Sequence, residues 1–144
     1  PESKGSIHIK SNDPEEFPSI KYNFLSSQLD KDTLVAGVKL IRNLMKTESM
    51  KEFVNDEIQP GFEISTDDDI LEFIKNKAET VYHPSGTCKM GFDQNAVVDK
   101  NLKVHGIKGL RVADASIMPT LVSGNTNAVC MMIGERCADF IINS

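Results

Sequence analysis

The run Tyr82-His83-Pro84-Ser85-Gly86-Thr87-Cys88-Lys89-Met90-Gly91 constrains the fold more than any other stretch of this chain. Pro84 lacks a backbone N–H and pushes His83 away from helical angles, and Gly86 and Gly91 admit conformations that other residues avoid. No helix can pass through such a segment. A helical pattern ends just before it and short elements follow it, so the texture of the chain changes at Tyr82. The same run sets one imidazole on an irregular turn, where a group titrating near pH 7 can act as a base.

Further along, Ser123-Gly124-Asn125-Thr126-Asn127 opens a strongly apolar segment. It reads as a helix N-terminus, whose free N–H groups and partial positive charge can face an anion.

At 144 residues the chain is the size of one domain, and such a domain buries about two-thirds of the surface its unfolded form exposes. Hydrophobic content of 40% and charged content of 26% belong to a soluble globular protein. No apolar run approaches the roughly 20 residues of a membrane span. Net charge is −5 with the basic residues dispersed, which leaves no phosphate-neutralising stripe and argues against nucleic acid as a partner. Cys88, Cys130 and Cys137 form no CxxC and no Cys/His pairing at zinc-ligand spacing. They are expected as free thiols in a reducing compartment, with no metal. The chain begins at Pro1 and runs straight into a strand-like segment, so it is read as part of something longer. Neither GxGxxG nor a GxxxxGKS or GxxxxGKT loop occurs, which places any nucleotide-binding half upstream.

Gly5 to Ser11 and Ile20 to Leu25 alternate apolar and polar residues around the turn signal Asn12-Asp13-Pro14, and predict two antiparallel strands. Asp30 and Asp32 precede Leu34, Val38, Ile41 and Met45, which share one helix face. Pro60-Gly61 breaks the chain. Thr66 and Asp69 then form a capping-box signal for a helix turning Ile70, Phe73, Ile74 and Ala78 inward. Asp67, Asp68 and Asp69 suit the positive end of that helix as a solvated first turn rather than a metal site. After Tyr82 the expected elements are short: Val97-Val98-Asp99, Val104, and a buried strand from Leu110 to Asp114. From Asn125 to Ile142 the pattern is helical and apolar on almost every side, which predicts a helix buried between layers.

Three ordered motifs carry a family resemblance. His83-Pro84-Ser85-Gly86-Thr87-Cys88-Lys89-Met90-Gly91 comes first, then Gly109-Leu110-Arg111-Val112-Ala113-Asp114-Ala115-Ser116-Ile117-Met118-Pro119, then Gly124-Asn125-Thr126-Asn127-Ala128. Together they resemble the C-terminal part of the glucose-methanol-choline (GMC) flavin oxidoreductases. The opening Pro1-Glu2-Ser3-Lys4-Gly5 looks like that family's entry to the region, so the resemblance spans essentially the whole chain. Within the family, Ile9-Lys10-Ser11, Ala78-Glu79-Thr80 and Met132-Ile133-Gly134-Glu135 look most similar to choline dehydrogenases and related bacterial alcohol dehydrogenases.

The resemblance implies an α+β fold. Residues 1–80 would be an antiparallel sheet with helices, a portion of the substrate-binding domain. Residues 81–144 would be the active-site loop and a strand and helix returning to complete an upstream FAD-binding domain. It also implies FAD as cofactor, held mainly by that domain of the same polypeptide. The substrate would be choline or a small primary alcohol, the location cytoplasmic with membrane association left open, and the electron acceptor unspecified. Two alternatives stand beside this: a lyase of the hydroxynitrile type that keeps FAD without redox use, and a module inactive by itself.

In alcohol oxidation the hydroxyl proton leaves as hydride departs from the adjacent carbon, because an alkoxide donates hydride more readily than an alcohol. His83 is the base implied by the matched motif; by itself, a histidine before proline is an ordinary structural hydrogen-bonding residue. Asn125 matches the family's second catalytic position, occupied by histidine or asparagine, where its amide can donate to the alkoxide; as a bare sequence feature it is an N-cap. Thr126, Asn127 and Ala128 would contact the flavin largely through backbone atoms, since reduced flavin carries negative charge that helix N–H groups stabilise. Asp114 and Ala115 match the cofactor-contacting strand end, with a loop-capping carboxylate as the alternative for Asp114. His8 and His105 have no chemical context and are expected to face solvent. Cys88 reads as an inert thiol, and Tyr82 as either lining or underpinning the pocket.

Overall fold

The computed structural model describes residues 1–143, which fall into two compact units, Pro1–Glu79 and the remainder from Thr80. In the first unit β1 (Ser6–His8) pairs antiparallel with β2 (Ser19–Lys21), opposing Ser6 to Lys21, Ile7 to Ile20 and His8 to Ser19. Gly5 enters this ribbon where a Cβ would run into the Lys21 and Tyr22 carbonyls. Both strands are shorter than expected, for local reasons. Beyond His8 the chain is already committed to a turn, in which Asp13 accepts the Glu15 N–H through its side chain and the Glu16 N–H through its carbonyl. Beyond Lys21, Asn23 and Leu25 take φ values of 54° and 57°, which no strand can accommodate.

Helix α1 (Gln28–Met45) buries Val35, with Val38 half-buried, and so is rotated from the expected face. Leu34 and Ile41 are exposed instead, because the inward stripe runs through Lys31, Val35, Val38, Arg42 and Met45. A short turn, α2 (Glu48–Lys51), follows. Helix α3 (Asp67–Lys77) starts at Thr66, whose Oγ1 accepts the Asp69 N–H at 3.2 Å and donates to the Asp69 carboxylate at 2.6 Å. Ile70 and Ile74 seal against Val35; Ala78, expected inward, is the exposed C-cap with extended backbone. Arg42 crosses from α1 to the following loop. Its guanidinium bonds both Glu57 carboxylate oxygens, the Gly61 carbonyl at 2.9 Å and the Ile64 carbonyl at 2.8 Å.

Asp30, in the first turn of α1, accepts the Glu2 and Ser3 amides at 2.9 and 2.7 Å. Hydrogen bonding from the Ser3 side chain, then from these amides, lowers its pKa to about 2. A depressed carboxylate contributes stability above its unfolded pKa and loses it as pH falls through the folded value. Acidification from about pH 4 towards 2 should therefore release residues 1–3 from α1, and D30N should abolish this step in amide hydrogen exchange at Glu2 and Ser3. Unchanged exchange in D30N would remove the carboxylate from that role.

The second unit is built on loops around a core of Val98, Leu102, Ile117, Met118, Ile133 and Cys137. Val98 bridges Met90 in parallel and Val104 antiparallel. The expected strand from Leu110 to Asp114 is reduced to one bridge, Arg111 to Lys103. Its polar backbone closes a tight loop instead, with Val104 N–H bonded to the Leu110 carbonyl and Val112 N–H to the Leu102 carbonyl. Leu110 and Asp114 are exposed. A one-turn 3₁₀ helix (Ala115–Ile117) leads to α4 (Asn127–Ile142). The helix is not buried on all sides within this unit. Thr126, Ile133 and Cys137 face the core, while Met131, Met132, Ile141 and Ile142 are exposed, because the loops of this unit cover only one flank of a helix that is apolar nearly all round. No helix among the described residues is long and apolar enough to cross a membrane.

Candidate active site

His83 is half-buried, and its Nδ1 lies 2.8 Å from Oγ1 of Thr126. Thr126 itself is 6% exposed. The sequence gives no hint of this pairing, since the two residues are 43 positions apart and threonine at a helix start ordinarily caps the helix. With Nδ1 engaged, Nε2 is the ring atom left for chemistry, and no partner holds it among the described residues.

The loop that follows His83 is fixed by its main chain. The N–H groups of Gly86, Cys88 and Met90 donate to the carbonyls of Ala115, Ser116 and Ile117 at 3.3, 2.9 and 2.8 Å. Gly86 has φ of 82°, and a Cβ there would press on the Met118 carbonyl at 3.3 Å, so glycine answers both the backbone angle and the close approach. The far end is tied by His105, whose Nε2 lies 3.1 Å from the Gly91 carbonyl, and by an ion pair between Lys89 and Asp93 at 2.9 Å. The bond from Lys89 is the first cause of the lowered Asp93 pKa. His105 is exposed as expected but bonds to the loop. Tyr82 is 77% exposed and holds φ of 60°.

Asn125 is exposed, and its Oδ1 accepts the Asn127 N–H at 3.0 Å. It therefore closes an Asx turn just before the helix, in place of the N-cap suggested by its residue type, while its Nδ2 stays free to donate elsewhere. One end of the amide is held and the other presented. Asp114 behaves as the loop-capping alternative foresaw, accepting the Ser116 N–H at 2.7 Å at the start of the 3₁₀ turn. Ala115, through its carbonyl, receives the Gly86 N–H.

Asn127 and Ala128 are exposed in the first turn of α4, where no side chain of Thr126 covers the helix N–H groups. An uncapped turn ending in a small side chain fits the flat face of an anionic ring approaching through backbone atoms. The three thiols are free, Cys137 buried and Cys88 and Cys130 half-buried, and no cluster of three His, Cys, Asp or Glu side chains suited to a metal occurs among the described residues.

Residues 1–134 match the family model described as GMC oxidoreductase. Over 139 residues, 96% of this chain, the sequence is 46% identical to an oxygen-dependent choline dehydrogenase of Escherichia coli, of which it covers 25%. Among solved structures it superposes on pyridoxine 4-oxidase from Mesorbium loti with a TM-score of 0.92 and 30% identity, covering all of this chain and 28% of that one. An FAD-dependent oxidoreductase from Chaetomium thermophilum gives 0.88 and 30% identity, over 95% of this chain and 24% of the other. The chain thus spans about a quarter of the length of the relatives it matches.

Proposed function

The chain belongs to the GMC oxidoreductases, and from that premise we propose that it is the catalytic and substrate-facing portion of an FAD-dependent alcohol dehydrogenase that oxidises choline or another small primary alcohol to the aldehyde. The observation that carries this reading is the placement of His83 against Thr126, next in sequence to an Asn125 whose amide donor is free. Bound FAD supplies the hydride acceptor. His83 Nε2 takes the hydroxyl proton of the alcohol, and Asn125 Nδ2 donates a hydrogen bond to the oxygen as its negative charge grows. The exposed first turn of α4 at Asn127 and Ala128, with Thr126 at its buried start, contacts the flavin together with Asp114 and Ala115, while an upstream domain of the same polypeptide holds most of the cofactor.

Anaerobic addition of choline to the full-length enzyme is expected to bleach the flavin. An unbleached flavin across choline and a series of small primary alcohols would overturn the redox reading in favour of a lyase or an inactive module. In Asn125→Ala flavin reduction should slow about tenfold, since one hydrogen bond to a developing charge is lost while the proton acceptor is spared. Loss of folding with an unchanged rate per folded molecule would reduce Asn125 to a turn residue.

A further inference from the structure

We infer that Thr126 is a positioning residue that sets the tautomer of His83, an inference that rests on His83 being the base. Thr126 stands at the N-cap position of α4, yet its hydroxyl makes no capping bond. Its backbone angles of −77° and −15° are helical, whereas a capping threonine takes extended ones that aim its oxygen at the helix N–H groups. Asn125, one residue earlier, accepts the Asn127 N–H in an Asx turn that leads into the helix. The Thr126 hydroxyl is spent instead on Nδ1 of His83 in a nearly solvent-free position. The same residue is anchored to the helix through its carbonyl, which accepts the Cys130 N–H at 2.9 Å.

The chemistry decides the direction of this bond. A neutral imidazole carries one proton, and only a ring protonated at Nδ1 has the Nε2 lone pair that a base needs. When Nε2 takes the alcohol proton, the ring becomes a cation with N–H at both nitrogens. A hydroxyl that accepts from Nδ1–H serves the ring before and after that transfer. One that donated to Nδ1 would hold the ring as the Nε2–H form, which has no lone pair at Nε2 to take the alcohol proton, and that donated bond would be lost in the cation. Thr126 Oγ1 therefore accepts, and it holds the ring plane as well as the proton.

The test uses the full-length, FAD-loaded enzyme, with Thr126→Val removing the hydroxyl at nearly constant shape and Thr126→Ser keeping it. The rate of flavin reduction is followed against pH, and the His83 ring nitrogens are assigned by ¹⁵N NMR at alkaline pH in both the loaded and the flavin-free protein. T126V should lower the alkaline plateau about tenfold, the scale of one buried hydrogen bond. Its flavin content and melting temperature should match the parent, and its Nε2–H form should appear in the spectrum. T126S should recover most of the plateau. A mere shift of the ionising limb with the plateau intact would overturn the inference, because raising the pH would then restore every ring to activity. So would an unchanged tautomer, or equal loss of flavin in both variants. Failure of the underlying reading looks different: His83→Ala would then match the parent whatever Thr126 does.

Discussion

Replacing His83 by alanine in the full-length enzyme is expected to lower turnover by about a hundredfold or more while the flavin stays bound. A positioned base contributes roughly two to four powers of ten, and no other imidazole of this unit can substitute, since His105 is engaged at Gly91. The fold of the loop should survive the change. Its position depends on the amides of Gly86, Cys88 and Met90, none of which involves the imidazole, and the Thr126 hydroxyl left behind can take a water. Stopped-flow measurement of flavin reduction at saturating alcohol reads the effect directly. Parent and variant reducing at equal rates would remove His83 from the mechanism.

The second large effect concerns stability, in the unit that contains no member of the proposed base machinery. Arg42→Met should destabilise it by about 3 kcal/mol, because breaking a largely buried ion pair by removing one partner leaves the other charge without compensation. The Arg42 and Glu57 side chains are each 15% exposed, and the change would also strip the Gly61 and Ile64 carbonyls of their shared donor. Bonding to Arg42 is the first cause holding the Glu57 pKa below its usual value. The pair therefore stabilises above the unfolded pKa of a glutamate, and this contribution fades as the pH falls through the lower folded value. Arg42→Met with Glu57→Leu should recover part of the loss, as apolar replacement of both partners removes the stranded charge. A single variant that melts like the parent at neutral pH would show the network to be solvated.

Helices were the most legible part of the fold, because their signals are local. Thr66 and Asp69 formed their cap, and Ile70 and Ile74 turned inward as their spacing required. On α1 the expected Val38 and Met45 do turn inward, but Val35 and Arg42 stand where Leu34 and Ile41 were expected, because Leu34 is as apolar as Val35 and the packing of α3 selects between them. Strand lengths failed where left-handed residues such as Asn23 and Leu25 cut the alternation, since those angles leave little trace in residue type. The segment from Leu110 to Asp114 reads as a strand by composition, but a strand exists only through a partner. Of the proposed site, His83 and Asn125 were reached through motif resemblance. The bond between His83 and Thr126 was out of reach, being a long-range contact between side chains that each have an ordinary local role.

The three main-chain bonds that hold the His83 loop against residues 115–117 also determine which mutations the loop can absorb. Side chains at 85 and 87 can drift without moving the loop, because the information that places its main chain is stored in peptide groups common to every amino acid. The exceptions are chemical rather than steric in size. Proline at 86, 88 or 90 deletes a donor, and any side chain at 86 meets both a disallowed angle and the Met118 carbonyl. Evolution can therefore retune the surface of this loop freely while the address of the base stays fixed.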